Sequence, residues 1–169
     1  MTRLLARFRV ALGFALAAVV LWLATPTWMS LAAGAWVAFC GEGIRVWAAG
    51  HLEKSKEITR SGPYRYTRHP LYLGSTLIGL GLAAAVSHAW ASALIVVYLA
   101  ATLSSAIVRE EAHLREKFGD AYDAYAERRA EPMDRPFSWA RARHNREHHA
   151  MAGLAAGLIA LAIKIITAG

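Results

Sequence analysis

Two stretches of this 169-residue chain concentrate the side chains that could do chemistry. The first reads Gly62-Pro63-Tyr64-Arg65-Tyr66-Thr67-Arg68-His69-Pro70-Leu71-Tyr72-Leu73-Gly74 and is dense in groups that bind polar ligands. Gly62-Pro63 sets a turn. Pro70, opening an apolar block, suits the first turn of a helix, where its missing N–H costs nothing. His69 then lies at a helix N-terminus, whose free N–H groups favour a carboxylate. The second stretch reads Arg109-Glu110-Glu111-Ala112-His113-Leu114, followed by Phe118-Gly119-Asp120-Ala121-Tyr122-Asp123-Ala124-Tyr125. Paired glutamates at the end of a long apolar helix oppose the helix dipole. Either the helix continues past them or they hold something positive, which points to a cationic or amine-bearing ligand. Composition alone leaves plainer readings open: a basic, aromatic inner-leaflet anchor for the first stretch, and a solvated helix end paired to Arg109 and Arg115 for the second.

Other polar groups sit inside or beside apolar blocks. Glu42 and Arg45 are spaced i, i+3, so they can pair on one helical face. Charges within a membrane span are functional by default, and an ion pair tying that helix to its neighbours is the structural alternative. His51 follows them at the interface, where a lone histidine usually belongs to the polar surface. His144, His148 and His149 lack an accompanying carboxylate or cysteine ligand set, so no metal site is expected there. A basic amphipathic stretch on the inner leaflet accounts for them. Cys40 stands alone in an apolar block and reads as a small packing residue.

The elements that must position these groups are apolar helices. The chain is 56% apolar with a mean hydropathy of +0.30, and the apolar residues come in blocks, apolar on every face, rather than in amphipathic patterns. A helix needs about 20 residues to cross the hydrocarbon layer, or about 17 at the short end. The expected fold is therefore an all-α, polytopic membrane bundle in a single domain. Its spans fall over residues 8–25, 28–49, 70–87, 89–108 and 150–167, with polar segments at 50–69 and 109–149. The first span reaches full length only if Phe8 and a snorkelling Arg9 are included. That block could otherwise be a cleaved leader, but Trp22, Pro26 and Trp28 crowd the place where a small-x-small site should follow.

Lysine and arginine give the orientation. They cluster before the first span (Arg3, Arg7, Arg9) and throughout both polar segments, whereas the connections around Pro26 and Ser87 carry none. The N-terminus and both polar segments are thus expected on the cytoplasmic side, and the protein is expected in a bacterial inner membrane. Trp22, Trp28 and Trp90 match the outer interface and Trp47 the inner one. The net charge of +7 follows the loops, so it reads as topology signal and attraction to anionic lipid rather than nucleic-acid binding.

Taken together, the two stretches resemble the isoprenylcysteine carboxyl methyltransferase and phospholipid methyltransferase superfamily. The resemblance runs from about Glu42 to Pro136, through Gly62-x-Tyr64, Arg68-His69-Pro70-x-Tyr72-x-Gly74, a helical hairpin, Glu110-Glu111-x-x-Leu114 and Phe118-Gly119-x-x-Tyr122-x-x-Tyr125. It implies an integral membrane enzyme that uses S-adenosylmethionine without a Rossmann domain. By that resemblance Tyr64, His69, Pro70, Leu71 and Tyr72 line the cofactor pocket together with Glu110 and its neighbour Glu111. Lys56, Glu57, Ile58 and Thr59 match a further cofactor-contacting stretch, with departures from the eukaryotic members. The acceptor would be lipophilic, an isoprenylcysteine-like carboxylate or a phospholipid amine. The family's isoprenylcysteine enzymes carry an arginine four residues before the first glutamate. This chain has Ala106 there, which leaves Glu42, Arg45 and Arg109 as candidates for acting on the acceptor. A membrane reductase of related fold using NADPH, and a non-catalytic scaffold or transport component, are the alternatives.

Overall fold

A computed structural model describes residues 2–54 and 56–168, with side chains described from residue 11 onward apart from Ser55. The side chains of Arg3, Arg7, Phe8 and Arg9, which entered the topology argument, lie outside the described set. Among the described residues there are no strands. Helices α1 (Thr2–Leu23), α2 (Trp28–His51), α3 (Pro70–Ala85), α4 (Ala89–Phe118), α5 (Asp120–Ala126), α6 (Trp139–His144) and α7 (Glu147–Ala168) follow in order. A 3-10 turn, Gly62–Arg65, lies between α2 and α3. The all-α expectation holds, and five of these helices fall on the five apolar blocks. Two of them, α4 and α7, are long and apolar enough to cross a membrane.

Helices α2 and α3 form the centre, and glycine sets how closely they pack. A Cβ on Gly41 would stand 2.6 Å from the Gly74 carbonyl oxygen, and one on Gly74 would stand 2.5 Å from that of Gly41. Seven residues away along each helix, Gly81 repeats the relation, with the Gly34 oxygen 2.5 Å from where its Cβ would lie. Two antiparallel backbones can therefore touch, which is how helices associate where hydrophobic burial offers no driving force. The interior reflects this. Alanine is the commonest of its buried side chains, and Glu42 and Glu147 lie among them at 7% and 4% exposure. The largest apolar side chains face outward, Trp36 at 73% and Trp90 at 75%. That inversion of the water-soluble pattern suits a lipid surround.

Each helix end has a local cause. Thr27 caps α2 in a reciprocal box with Ser30, at 3.1 and 2.9 Å. Ser30 Oγ also donates to the Ala85 carbonyl, pinning the start of α2 to the end of α3. Lys164 of α7 donates to the Leu21 and Trp22 carbonyls at 2.5 and 2.7 Å, satisfying free acceptors at the end of α1. The C-terminal carbonyls of α2 are met by the segment around α6: Asn145 Nδ2 donates to Ala49 and Leu52 at 2.9 Å, and Arg141 Nε to Gly50 at 2.8 Å. The Phe137 ring occupies the space where a side chain at Gly50 would sit.

His51, expected as polar surface, is instead buried and shares a 3.1 Å hydrogen bond with Ser61. Burial, reinforced by Arg141, Arg135 and Arg65, holds its pKa below 6.5. Its ring lies against Gly62, whose positive φ of 54° already favours glycine.

Candidate active site

The hairpin of α3 and α4 brings the two chemical stretches together. Pro70 occupies the first turn of α3 and His69 its N-cap, as the motif requires, but the His69 side chain does not cap the helix. It reaches across to α4, where Nε2 lies 2.9 Å from Glu111 Oε1. Arg68 Nη1 stands 3.3 Å from the same oxygen. The hydrogen bond from His69 holds the Glu111 carboxyl below the usual glutamate range, and the nearby Arg68 charge adds to it.

Of the two possibilities for the paired glutamates, the helix continues. It runs on to Phe118, where Gly119 at φ 48° ends it. At 30 residues α4 is about 45 Å long, against a hydrocarbon layer of about 30 Å, so its last third carries Glu110 and Glu111 past its apolar part.

The glutamates diverge in role. Glu111 is taken up by His69 and Arg68, while exposed Glu110 lies within hydrogen-bonding reach of the Tyr72 hydroxyl. Tyr64, in the 3-10 turn, is buried, and its backbone carbonyl accepts a 3.1 Å hydrogen bond from the Tyr125 hydroxyl. Burial, then Glu110, raises the Tyr64 pKa well above 10. Burial likewise pushes Tyr125 up to about 12. Both phenols therefore stay protonated donors at neutral pH.

Beside these groups opens a cavity of about 370 Å³, within the size range of small-molecule sites. Tyr64, Tyr66 and Tyr125 give it aromatic walls, and Arg60, Arg65, Arg68 and Arg128 make it basic. Arg65 is engaged with the Met133 carbonyl and Asp134. Among the described residues Arg60 and Arg128 make no ion pair, so both can meet an anion.

Other expected positions lie elsewhere. Lys56 pairs with Glu53 at 3.2 Å, Glu57 with Arg135 at 2.5 Å, and Thr59 Oγ1 accepts from the Glu53 amide. With Ile58, this stretch contributes nothing to the wall of the basic cavity. Arg109 folds back along its own helix, Nε donating to the Ser105 carbonyl at 3.0 Å. Glu42 and Arg45 do pair, at 4.0 Å, but the dominant partner of Arg45 is Glu147 on α7, met through two hydrogen bonds at 2.6 and 3.2 Å. Arg45 also contacts Ser75 and the Leu71 carbonyl, one turn from Tyr72 (Pro70 and Leu71 open that same helix).

Sequence reasoning left out Arg60, Arg128 and Tyr125 as cavity residues and Glu147 as a partner. Tyr125 was within reach, since it belongs to the motif; a pairing across 102 residues leaves no sequence signal. Among the described residues, no group of three or more histidine, cysteine or acidic side chains is placed to hold a metal ion.

The cavity's chemistry can be matched against S-adenosylmethionine. In the wall, unpaired guanidiniums at Arg60 and Arg128 suit its carboxylate and the tyrosines suit its adenosine; Glu110, bonded to Tyr72 outside that wall but near enough to raise the Tyr64 pKa, is a carboxylate suited to its ammonium, so the residues fit.

The chain is 34% identical over 88 residues to the nickel-cobalt-cadmium resistance protein NccN of Alcaligenes xylosoxydans xylosoxydans, covering 50% of this chain and 40% of that protein. The chain thus spans about two fifths of that relative's length. No solved structure matches. A phospholipid methyltransferase family model matches residues 8–121, across the first polar stretch, the hairpin and the second stretch as far as Ala121. The chain therefore belongs to the phospholipid methyltransferase family, within the isoprenylcysteine carboxyl methyltransferase-like superfamily.

Proposed function

We propose that this protein is a five-span membrane methyltransferase that moves a methyl group from S-adenosylmethionine to a lipophilic acceptor at the cytoplasmic face. The observation that carries the reading is the His69–Glu111 contact. It folds the two family motifs onto one surface, next to a cavity with aromatic and arginine walls, with Glu110 near enough to raise the Tyr64 pKa. In this topology α1, α2, α3, α4 and α7 cross the bilayer, and the arginine-rich segments face the cytosol.

When bound, the cofactor supplies an electrophilic methyl group on a sulfonium. The protein's share is placement, since an in-line displacement depends on alignment of donor and acceptor. Glu110 and the Tyr72 hydroxyl would hold the ammonium end, Arg60 and Arg128 the carboxylate, and Tyr64 and Tyr125 the adenosine. His69 and Arg68 fix Glu111, and with it the register of α4 against α3. The acceptor class is lipid because the site opens where apolar helices end. An amine or carboxylate on that lipid would be the nucleophile.

Equilibrium dialysis of detergent-purified protein against S-adenosylhomocysteine tests the reading. Wild type should bind at a single saturable site, and Glu110→Gln should weaken binding by about tenfold, or 1.4 kcal/mol. A well-folded wild type that binds none of it would refute the proposal, and binding of NADPH instead would favour a reductase. Incubation of membranes with labelled methyl donor should then place the label in the lipid fraction.

A further inference from the structure

The approach to α7 carries charge that nothing else in the fold answers. Residues 139–149 hold three arginines and three histidines, and their single acid, Glu147, is buried and bound to Arg45. Arg141 turns inward to the Gly50 and Pro136 carbonyls and stands 3.8 Å from Glu53. Arg143 and Arg146 do not turn inward. Both are exposed, and among the described residues neither side chain makes an ion pair or a hydrogen bond. Trp139 lies one helical turn before Arg143 on the same face of α6. It is 66% exposed, with its ring edge-on to that of Phe137 at 5.0 Å. The opposite face of α6 is fixed, since Ala142 is buried and Asn145 holds the last carbonyls of α2.

The backbone singles out one of these side chains. Arg146 sits at φ 62°, in the left-handed region that favours glycine or asparagine after a helix. An arginine there sets backbone preference aside for what its side chain does, and such departures gather where ligands are held. Arg128, at φ 60°, is the other arginine at such an angle, and it lines the basic cavity. Helix α7 begins at the residue after Arg146 and is long and apolar enough to cross a membrane. Two free guanidiniums beside an exposed indole thus lie where a crossing helix meets the headgroups, a depth that suits both side-chain types.

We propose that Trp139, Arg143 and Arg146 form a docking surface for an anionic phospholipid, the arginines meeting its headgroup and the indole lying along the upper part of its chains. Charge complementarity chooses this occupant. The two cations have no acid left to pair with, and a zwitterionic lipid offers them a phosphate whose charge its own amine cancels. Near an anionic surface each arginine contributes up to about fivefold in binding. The surface lies beyond residues 8–121, which match the family, and apart from the basic cavity. Neither membership nor methyl transfer therefore assigns it. The inference needs α7 in the bilayer and does not need the methyltransferase chemistry.

The full chain can be reconstituted into phosphatidylcholine vesicles in which either phosphatidylglycerol or phosphatidylcholine carries brominated chains, which quench indole fluorescence on contact. Subtracting the signal of Trp139→Phe isolates Trp139. Half-quenching by brominated phosphatidylglycerol should need a mole fraction about fivefold lower than by brominated phosphatidylcholine. Salt at about 1 M should erase that difference, because screening then acts within about 3 Å. Arg143→Gln with Arg146→Gln should bring the two lipids level. Arg146→Gly removes one guanidinium while relieving the backbone, so it should narrow the preference with no loss of melting temperature. Equal quenching of wild type by the two lipids would overturn the inference, as would a preference that survives the double substitution. A Trp139 shielded from both lipids, as a second copy or a soluble protein would leave it, would overturn it too. S-adenosylhomocysteine binding, measured on the same preparation, separates the two ideas: lipid preference without that binding would sink the methyltransferase reading alone.

Discussion

His69 and Glu111 make the contact on which the site depends, and its electrostatics can be tested directly. The hydrogen bond from His69, with Arg68 nearby, holds the Glu111 carboxyl below 4.5. A carboxyl with a lowered folded-state pKa adds stability that is fully present above its unfolded value and fades as pH falls through the folded one. Glu111→Gln should therefore lower the melting temperature in detergent at about pH 7, and the gap from wild type should shrink at about pH 3. An equal gap at both pH values would mean that Glu111 stabilises by packing rather than by charge. The motif named both partners, but which of the two glutamates His69 would choose depended on the rotation of α4, set only when α3 and α4 pack.

At the scale of elements, the close approach of α2 and α3 should be the most sensitive feature. Gly74→Val would drive a side chain into the Gly41 carbonyl, which stands 2.5 Å from the Cβ position. Overpacking of that kind costs about 1–3 kcal/mol, so the thermal midpoint should drop. Gly43→Ala is the matched control, because a Cβ there meets nothing within 4 Å. Replacing a mid-helix glycine by alanine should leave stability unchanged or raise it by up to about 1 kcal/mol. If both variants melt alike, backbone contact does not set this interface. The glycines were visible in the sequence at matching intervals of seven. Their pairing was not, because spacing says that a face is small without saying what it meets.

For the molecule as a whole, the decisive feature is how α7 closes the bundle. Its start is held by the Arg45–Glu147 ion pair and its end by Lys164 on the last carbonyls of α1. The Arg45 and Glu147 side chains are 20% and 5% exposed; without Glu147, Arg45 keeps Glu42 at 4.0 Å, so the loss should stay below the about 3–5 kcal/mol of a fully stranded charge. Glu147→Gln should be less stable than wild type, and Arg45→Met combined with Glu42→Gln and Glu147→Leu should recover part of the loss. Thermal melts of the three proteins decide this. If Glu147→Gln melts with wild type, α7 is held by its apolar contacts alone.

The sequence alone determined the all-helical class, the helix blocks and the motifs that placed the chain in its family. These are local properties: apolar run length, capping residues, and residue types at short spacing. It located His69, Tyr72 and Glu110 as a group because a tight hairpin leaves α3 and α4 little freedom in how their ends meet. Only the tertiary structure decided that Arg45 answers to Glu147, that His51 is buried, and that the stretch from Lys56 to Thr59 turns toward Glu53 and Arg135. The physical reason is plainest for Arg45. A buried charge must find its opposite wherever packing brings one near, and nothing in its own neighbourhood along the chain says where that will be.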